Sequence, residues 1–100
     1  MNKKIGIEYR IPRPYTKLGE YLQSGREKAG LTQKEVAEEL EYSTAQFISN
    51  FERGIAAPPL RKLKRIIEMY SISPQKVMNM ILEHEKERTA EILFDKPKAA

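Results

Sequence analysis

The sequence predicts an all-α fold, a compact bundle of about five helices, and three observations carry that prediction. Apolar residues recur at three- and four-residue spacing in five successive segments. Each segment is bounded by residues that cap or break helices. Only residues 5–11 alternate with the period of a strand.

In that alternating stretch Ile5, Ile7, Tyr9 and Ile11 fall on one side and Gly6, Glu8 and Arg10 on the other, and Pro12 and Pro14 end it. A lone strand needs a partner. The same residues also read as a basic arm carrying Lys3, Lys4, Arg10 and Arg13. Both readings stand for residues 1–15.

From Thr16, an N-cap residue type, Leu18, Leu22, Gly25 and Ala29 recur at helical spacing up to Gly30, which supplies a left-handed terminus. Thr32 then caps a second helix of about two turns, with Glu35 at the capping-box position and Val36, Ala37 and Leu40 facing inward. After the short link Glu41-Tyr42-Ser43, a third helix is expected from about Ala45 to Arg53, stopping at Gly54, with Ile48 and Phe51 on its buried side. Pro58 and Pro59 introduce a fourth, in which Leu60, Leu63, Ile66, Ile67 and Tyr70 form the apolar stripe and Arg61, Lys62, Lys64 and Arg65 the opposite surface. Ser73-Pro74 opens a fifth through Val77, Met78, Ile81 and Leu82. Residues 83–91 are polar enough for it to leave the core, Ile92-Leu93-Phe94 is apolar again, and residues 95–100 read as a frayed tail. The expected organisation is an arm or strand over residues 1–15, one domain over 16–94 and a tail.

One hundred residues, 40% of them hydrophobic, suit a single core. With no cysteine and no apolar run of the roughly 18 to 20 residues a bilayer span requires, neither disulfides nor membrane insertion is expected, and the cytoplasm is the expected compartment. The net charge of +4 points weakly to a polyanion. Its distribution is uneven: residues 31–60 carry only Lys34 and Arg53 against five glutamates, so any nucleic-acid contact there must be local.

Two short helices joined by a link too tight for an antiparallel hairpin form a geometry in which the second can protrude into a groove. The residues around that link resemble the Cro and phage-repressor type of helix-turn-helix proteins, the xenobiotic-response-element regulator family. The resemblance rests on Arg26, Gly30-Leu31-Thr32-Gln33, Val36-Ala37, Leu40, Ser43, Ile48-Ser49, Phe51-Glu52-Arg53-Gly54, Pro58 and Leu60, over roughly residues 17–73. One departure stands out. The spacing from Leu40 to Glu52-Arg53-Gly54 is one residue longer than the family's, and Glu41 replaces the usual glycine. The extra residue is placed in the link, at Ser43 or Thr44, which makes Thr44 the N-cap.

The resemblance implies a lambda-repressor-like bundle and a transcriptional regulator, of repressor type, that binds duplex DNA in the major groove through its third helix. It points to Gln46, Phe47 and Asn50 as base readers, with Thr44 and Ala45 at closest approach. A terminal amide both donates to and accepts from adenine, and Phe47 can meet a thymine methyl or, alternatively, pack on Tyr42 or in the core. Gln33, at the first turn of the second helix, is implied to contact the DNA backbone, where free N–H groups favour phosphate. Arg53, Arg61, Lys62 and Thr44 are candidates for further backbone contacts that position without reading sequence. Similarity to the family also suggests an architectural ion pair between Arg26 and Glu52.

Nothing in the sequence resembles a catalytic constellation, and neither an enzyme activity, a cofactor nor a metal is expected; His84 is the single histidine. The expected partner is a palindromic operator, bound by a homodimer through the fifth helix, Ile92-Leu93-Phe94 or the N-terminal strand. The competing reading is a protein-interaction module of the same fold, such as an antitoxin or regulatory adaptor, favoured by the acidic middle segment and the strand-like N-terminus.

Overall fold

A computed structural model of the protein describes residues 15–94; the expected N-terminal arm or strand, up to residue 14, and the tail over 95–100 lie outside the described residues. Within them the chain forms five helices and no strand: α1 (Thr16–Lys28), α2 (Gln33–Glu39), α3 (Gln46–Glu52), α4 (Leu60–Tyr70) and α5 (Pro74–Phe94). The all-α bundle expected from the sequence is the observed one.

Helix α1 is the centre of the packing, touching α3, α4 and α5, while α2 packs on α3. The core they enclose comprises Leu18, Leu22, Val36, Ala37, Leu40, Ile48, Phe51, Leu63, Ile66, Tyr70 and Val77. Fully burying one such aliphatic or aromatic side chain contributes about 1.5–3 kcal/mol, so this cluster is the main source of stability. Gly19 permits the closest approach within it. A Cβ added there would stand 2.4 Å from the carbonyl oxygen of Glu52 and 2.6 Å from that of Phe51, both backbone atoms that cannot step aside.

Local chemistry fixes the helix ends. The Thr32 hydroxyl accepts from the Glu35 N–H at 3.0 Å and the Glu35 carboxylate accepts from the Thr32 N–H at 2.9 Å, a complete capping box. Ser73 Oγ accepts from the Lys76 N–H at 3.1 Å at the start of α5. At the C-terminus of α1, Gly30 takes φ of 76° and the Leu31 N–H reaches back to the Arg26 carbonyl; Gly54, at 79°, ends α3 in the same way.

Four details differ from the sequence reading, each at a helix end or on α5. The N-cap of α1 is Tyr15 rather than Thr16, with its N–H donating to the Gly54 carbonyl at 3.0 Å. Ala29, expected on the apolar face, is exposed because α1 has already ended at Lys28. Leu60, expected in the stripe of α4, is 75% exposed because it is the first helical residue and lies beyond the core. On α5 only Val77 is buried, while Met78 and Leu82 face solvent and the helix runs unbroken to Phe94. None of the helices is long and apolar enough to cross a membrane.

Candidate nucleic-acid interface

The link between α2 and α3 is closed without glycine. Glu41 adopts φ of 65°, the Tyr42 N–H donates to the Ala37 carbonyl at 2.8 Å and the Glu41 N–H to that of Glu38 at 3.1 Å, so α2 ends in a six-to-one motif with a glutamate at the left-handed position. A side chain there costs about 1 kcal/mol relative to glycine. Lys62, from α4, then donates its ammonium to the Leu40 carbonyl and lies 5.0 Å from the centroid of the Tyr42 ring. Burial pushes the Tyr42 phenol above its ordinary value. Lys62, a sequence candidate for DNA backbone contact, is thus turned onto the link in the free protein.

Thr44 Oγ1 accepts from the Gln46 N–H at 3.2 Å, the bond an N-cap side chain makes to the second residue of a helix, while Ala45 sits in helical conformation and accepts from the Ser49 N–H. Helix α3 therefore starts within one residue of the expected position. Phe47, 44% exposed, stacks on Tyr42 with centroids 4.4 Å apart and planes at 13°. Tyr42 also meets Phe51 edge-on at 6.0 Å. The ring row from Phe47 to Phe51 braces the link against the core, with Phe47 on Tyr42 as one of the alternatives read from the sequence.

On the inner side of α3, Glu52 is buried and is the meeting point of three helices. Arg26 of α1 donates through Nε at 2.5 Å and through Nη2 at 3.2 Å to its two oxygens, and Gln33 of α2 donates through Nε2 at 2.8 Å. The remaining guanidinium nitrogen of Arg26 reaches the Leu31 carbonyl at 2.8 Å. The hydrogen bond to Glu52 raises the Arg26 pKa further above its ordinary value, against the opposing effect of burial. Burial first, and the Glu52 carboxylate second, hold the nearby Tyr70 phenol well above its usual range. This cluster carries Arg26, Glu52 and Gln33 together, whereas the sequence pointed to Gln33 separately.

The opposite side of α3 is exposed and polar. Gln46 and Asn50, one turn apart, are joined by Gln46 Nε2 donating to Asn50 Oδ1 at 2.9 Å, and Arg53 Nη2 donates to the same oxygen at 3.0 Å. With that oxygen occupied twice, the row turns outward the Asn50 amide donors, the Gln46 carbonyl acceptor and the rest of the Arg53 guanidinium. Acceptor and donors side by side match the adenine edge in a major groove, and a guanidinium at the end of the row suits a phosphate. Of the α4 cations, Arg61 is exposed on the first turn, while Arg65 pairs with Glu39 of α2 and approaches Glu68 at 3.8 Å.

Comparisons with known proteins agree with this geometry. Residues 22–77, more than half of the chain, match the profile of the helix-turn-helix family. The chain is 39% identical over 56 residues to the HTH-type transcriptional regulator ImmR of Bacillus subtilis (strain 168), an alignment covering 56% of this chain and 43% of that protein. It therefore spans less than half the length of this relative. No solved structure matches.

Proposed function

The chain belongs to the helix-turn-helix family, and from that premise we propose that it is a sequence-specific duplex-DNA-binding transcriptional regulator that reads the major groove with α3. The observation that carries this reading is the outward row of Gln46, Asn50 and Arg53, mounted on a helix whose back is tied to α1 and α2 through Glu52. A protruding helix whose rear is locked and whose front carries two amides ordered by a neighbouring guanidinium suits base reading, because little rotamer freedom remains to be lost on binding.

In this reading Gln46 and Asn50 read bases, Ala45 and Thr44 allow the close approach of the helix start, and Phe47 presents its exposed edge to a thymine methyl while its face stays on Tyr42. Gln33 keeps one amide N–H on Glu52 and offers the other to phosphate. Arg53 and Arg61 supply further backbone contacts, and Lys62 joins them by exchanging its hold on the Leu40 carbonyl. The protein acts as a homodimer on a palindromic operator, since one such domain covers little DNA. Exposed Met78, Leu82, Ile92 and Leu93 of α5 offer the interface. In this reading occupancy of the operator represses transcription.

Selection from a pool of random duplex DNA at near-physiological salt tests the proposal, because salt suppresses phosphate-only binding. Enrichment of a palindrome with half-sites about ten base pairs apart is the expected result. On the selected site Asn50→Ala is expected to cost about 1–3 kcal/mol and to relax base preference while leaving binding to random DNA intact. Equal losses on both DNAs would remove Asn50 from the readers, and failure to enrich any sequence would favour the protein-interaction reading.

A further inference from the structure

Away from α3, the head of α1 and one face of α5 border a groove of about 620 Å³. Leu18 and Met80 supply apolar lining, and Tyr15 packs on His84 with ring centroids 4.5 Å apart. Glu83, Glu87 and Glu91 all line it, spaced four residues apart, so three carboxylates form one row along α5. Two cations, Lys17 and Arg88, line it against these three carboxylates, and Arg88 also approaches Glu85, which is not part of the lining, at 3.7 Å. The wall is net acidic. His84 Nε2 is enclosed there and has no hydrogen-bond partner among the described residues.

The chain enters the fold at this groove. Tyr15 lines it, and the Tyr15 N–H is fixed on the Gly54 carbonyl, so the preceding residues start beside the glutamate row. Those residues have the complementary chemistry: Ile5, Ile7, Tyr9 and Ile11 on one side, and Lys3, Lys4, Arg10 and Arg13 against the single Glu8. Pro12 and Pro14 favour extended backbone in the residues before them. An extended chain rises about 3.3 Å per residue and a helix about 1.5 Å. At that rise Arg13 can reach up to about 7 Å from Tyr15 and Arg10 up to about 17 Å. Glu87 and Glu91 stand only about 4.5 and 10 Å along the helix from His84, the residue on which Tyr15 packs.

We propose that this groove is the docking site of the chain's own basic N-terminal segment, residues 5–14, with its arginines on the glutamate row of α5 and its apolar side on Leu18 and Met80. The Tyr15 anchor, the charge complementarity and the matching reach all select this occupant. A docked segment keeps Arg10 and Arg13 on α5 and away from phosphate. The site is separate from α3 and does not depend on the DNA reading.

The absence of cysteine from the chain permits a direct test. In the full chain, Ile11→Cys with Arg88→Cys is oxidised at low protein concentration beside a control pair, Ile11→Cys with Lys34→Cys on α2. An intramolecular disulfide forming on the order of tenfold faster than in the control is expected, because the bond requires Cβ atoms within about 4.5 Å. Its rate should fall severalfold in high salt and in the Glu83→Lys, Glu87→Lys background. Equal rates in the two pairs, or a disulfide formed only between two chains, would overturn the proposal. A cysteine-free check is hydrogen exchange: Arg10→Glu, Arg13→Glu should accelerate exchange severalfold in the second half of α5 and leave α2 and α3 unchanged, whereas an unaltered α5 counts against docking.

Discussion

Two clusters of similar chemistry occupy opposite sides of α3. The inner one joins a guanidinium, a carboxylate and an amide, Arg26, Glu52 and Gln33, from three different helices. The outer one joins two amides and a guanidinium, Gln46, Asn50 and Arg53, all from α3 or its last turn. The inner cluster is centred on the buried Glu52, with Arg26 and Gln33 partly buried, and its charges balance, whereas the outer one is solvated and leaves the Arg53 charge without a carboxylate among its hydrogen-bond partners within the described residues. Hydrogen bonds of comparable length thus serve different ends. Bonds that cross between elements and exclude water orient the helix; bonds within one exposed element can be exchanged for a ligand's, because water already competes for them.

The largest expected effect is on the inner side. Glu52→Ala strands the Arg26 guanidinium, whose side chain is only 11% exposed, and should destabilise the fold by about 3–5 kcal/mol in urea unfolding. A loss below about 1 kcal/mol would mean that the pair does not hold α3 and would break the contrast between the clusters.

Next comes the alkaline limb of stability. Tyr70 keeps its proton in the folded state to higher pH than in the unfolded state. Its contribution is fully present below pH ~10 and declines as pH rises, because the unfolded chain releases the proton first. The slope should approach about 1.4 kcal/mol per pH unit, and Tyr70→Phe should flatten most of it in unfolding measured between about pH 8 and 11. A slope unchanged in the variant would place the alkaline sensitivity elsewhere, with Tyr42 the next candidate.

Gln33 belongs to the inner cluster yet is proposed to touch DNA, so it sharpens the comparison. Gln33→Ala should cost about 1 kcal/mol of stability and weaken cognate and random DNA alike. Stability loss with unaltered DNA affinity would assign it wholly to the inner cluster. The smallest effect is Glu41→Gly, which relieves the left-handed glutamate outside both clusters. It should stabilise by about 0.5–1 kcal/mol, read as a rise of a few degrees in Tm, without changing base preference.

Much of the fold was legible because its signals are local. The capping box at Thr32 and Glu35, the Ser73-Pro74 start and the glycine stops at residues 30 and 54 involve neighbours in sequence, and the observed helices begin and end beside them. The end of α1 and the start of α4 were misjudged because periodicity carries no information about where the core ends: Ala29 and Leu60 fit their stripes and still lie beyond it. The site was legible through resemblance, which pointed to Arg26, Glu52 and the face of α3. It did not show that Gln33 donates to Glu52, nineteen residues away, that Lys62 covers the link, or that Gly19 admits the end of α3.

By itself the sequence determined five helices, most of their caps and the short link, since these follow from residue order, propensity and spacing over a few positions, while the helix-turn-helix membership was legible in it only through resemblance. The tertiary structure alone decided which polar groups became buried partners and which remained a surface. That decision depends on distances between residues far apart in the chain. The solvation of a guanidinium or amide, and hence its role, is set by what packs against it rather than by its own identity.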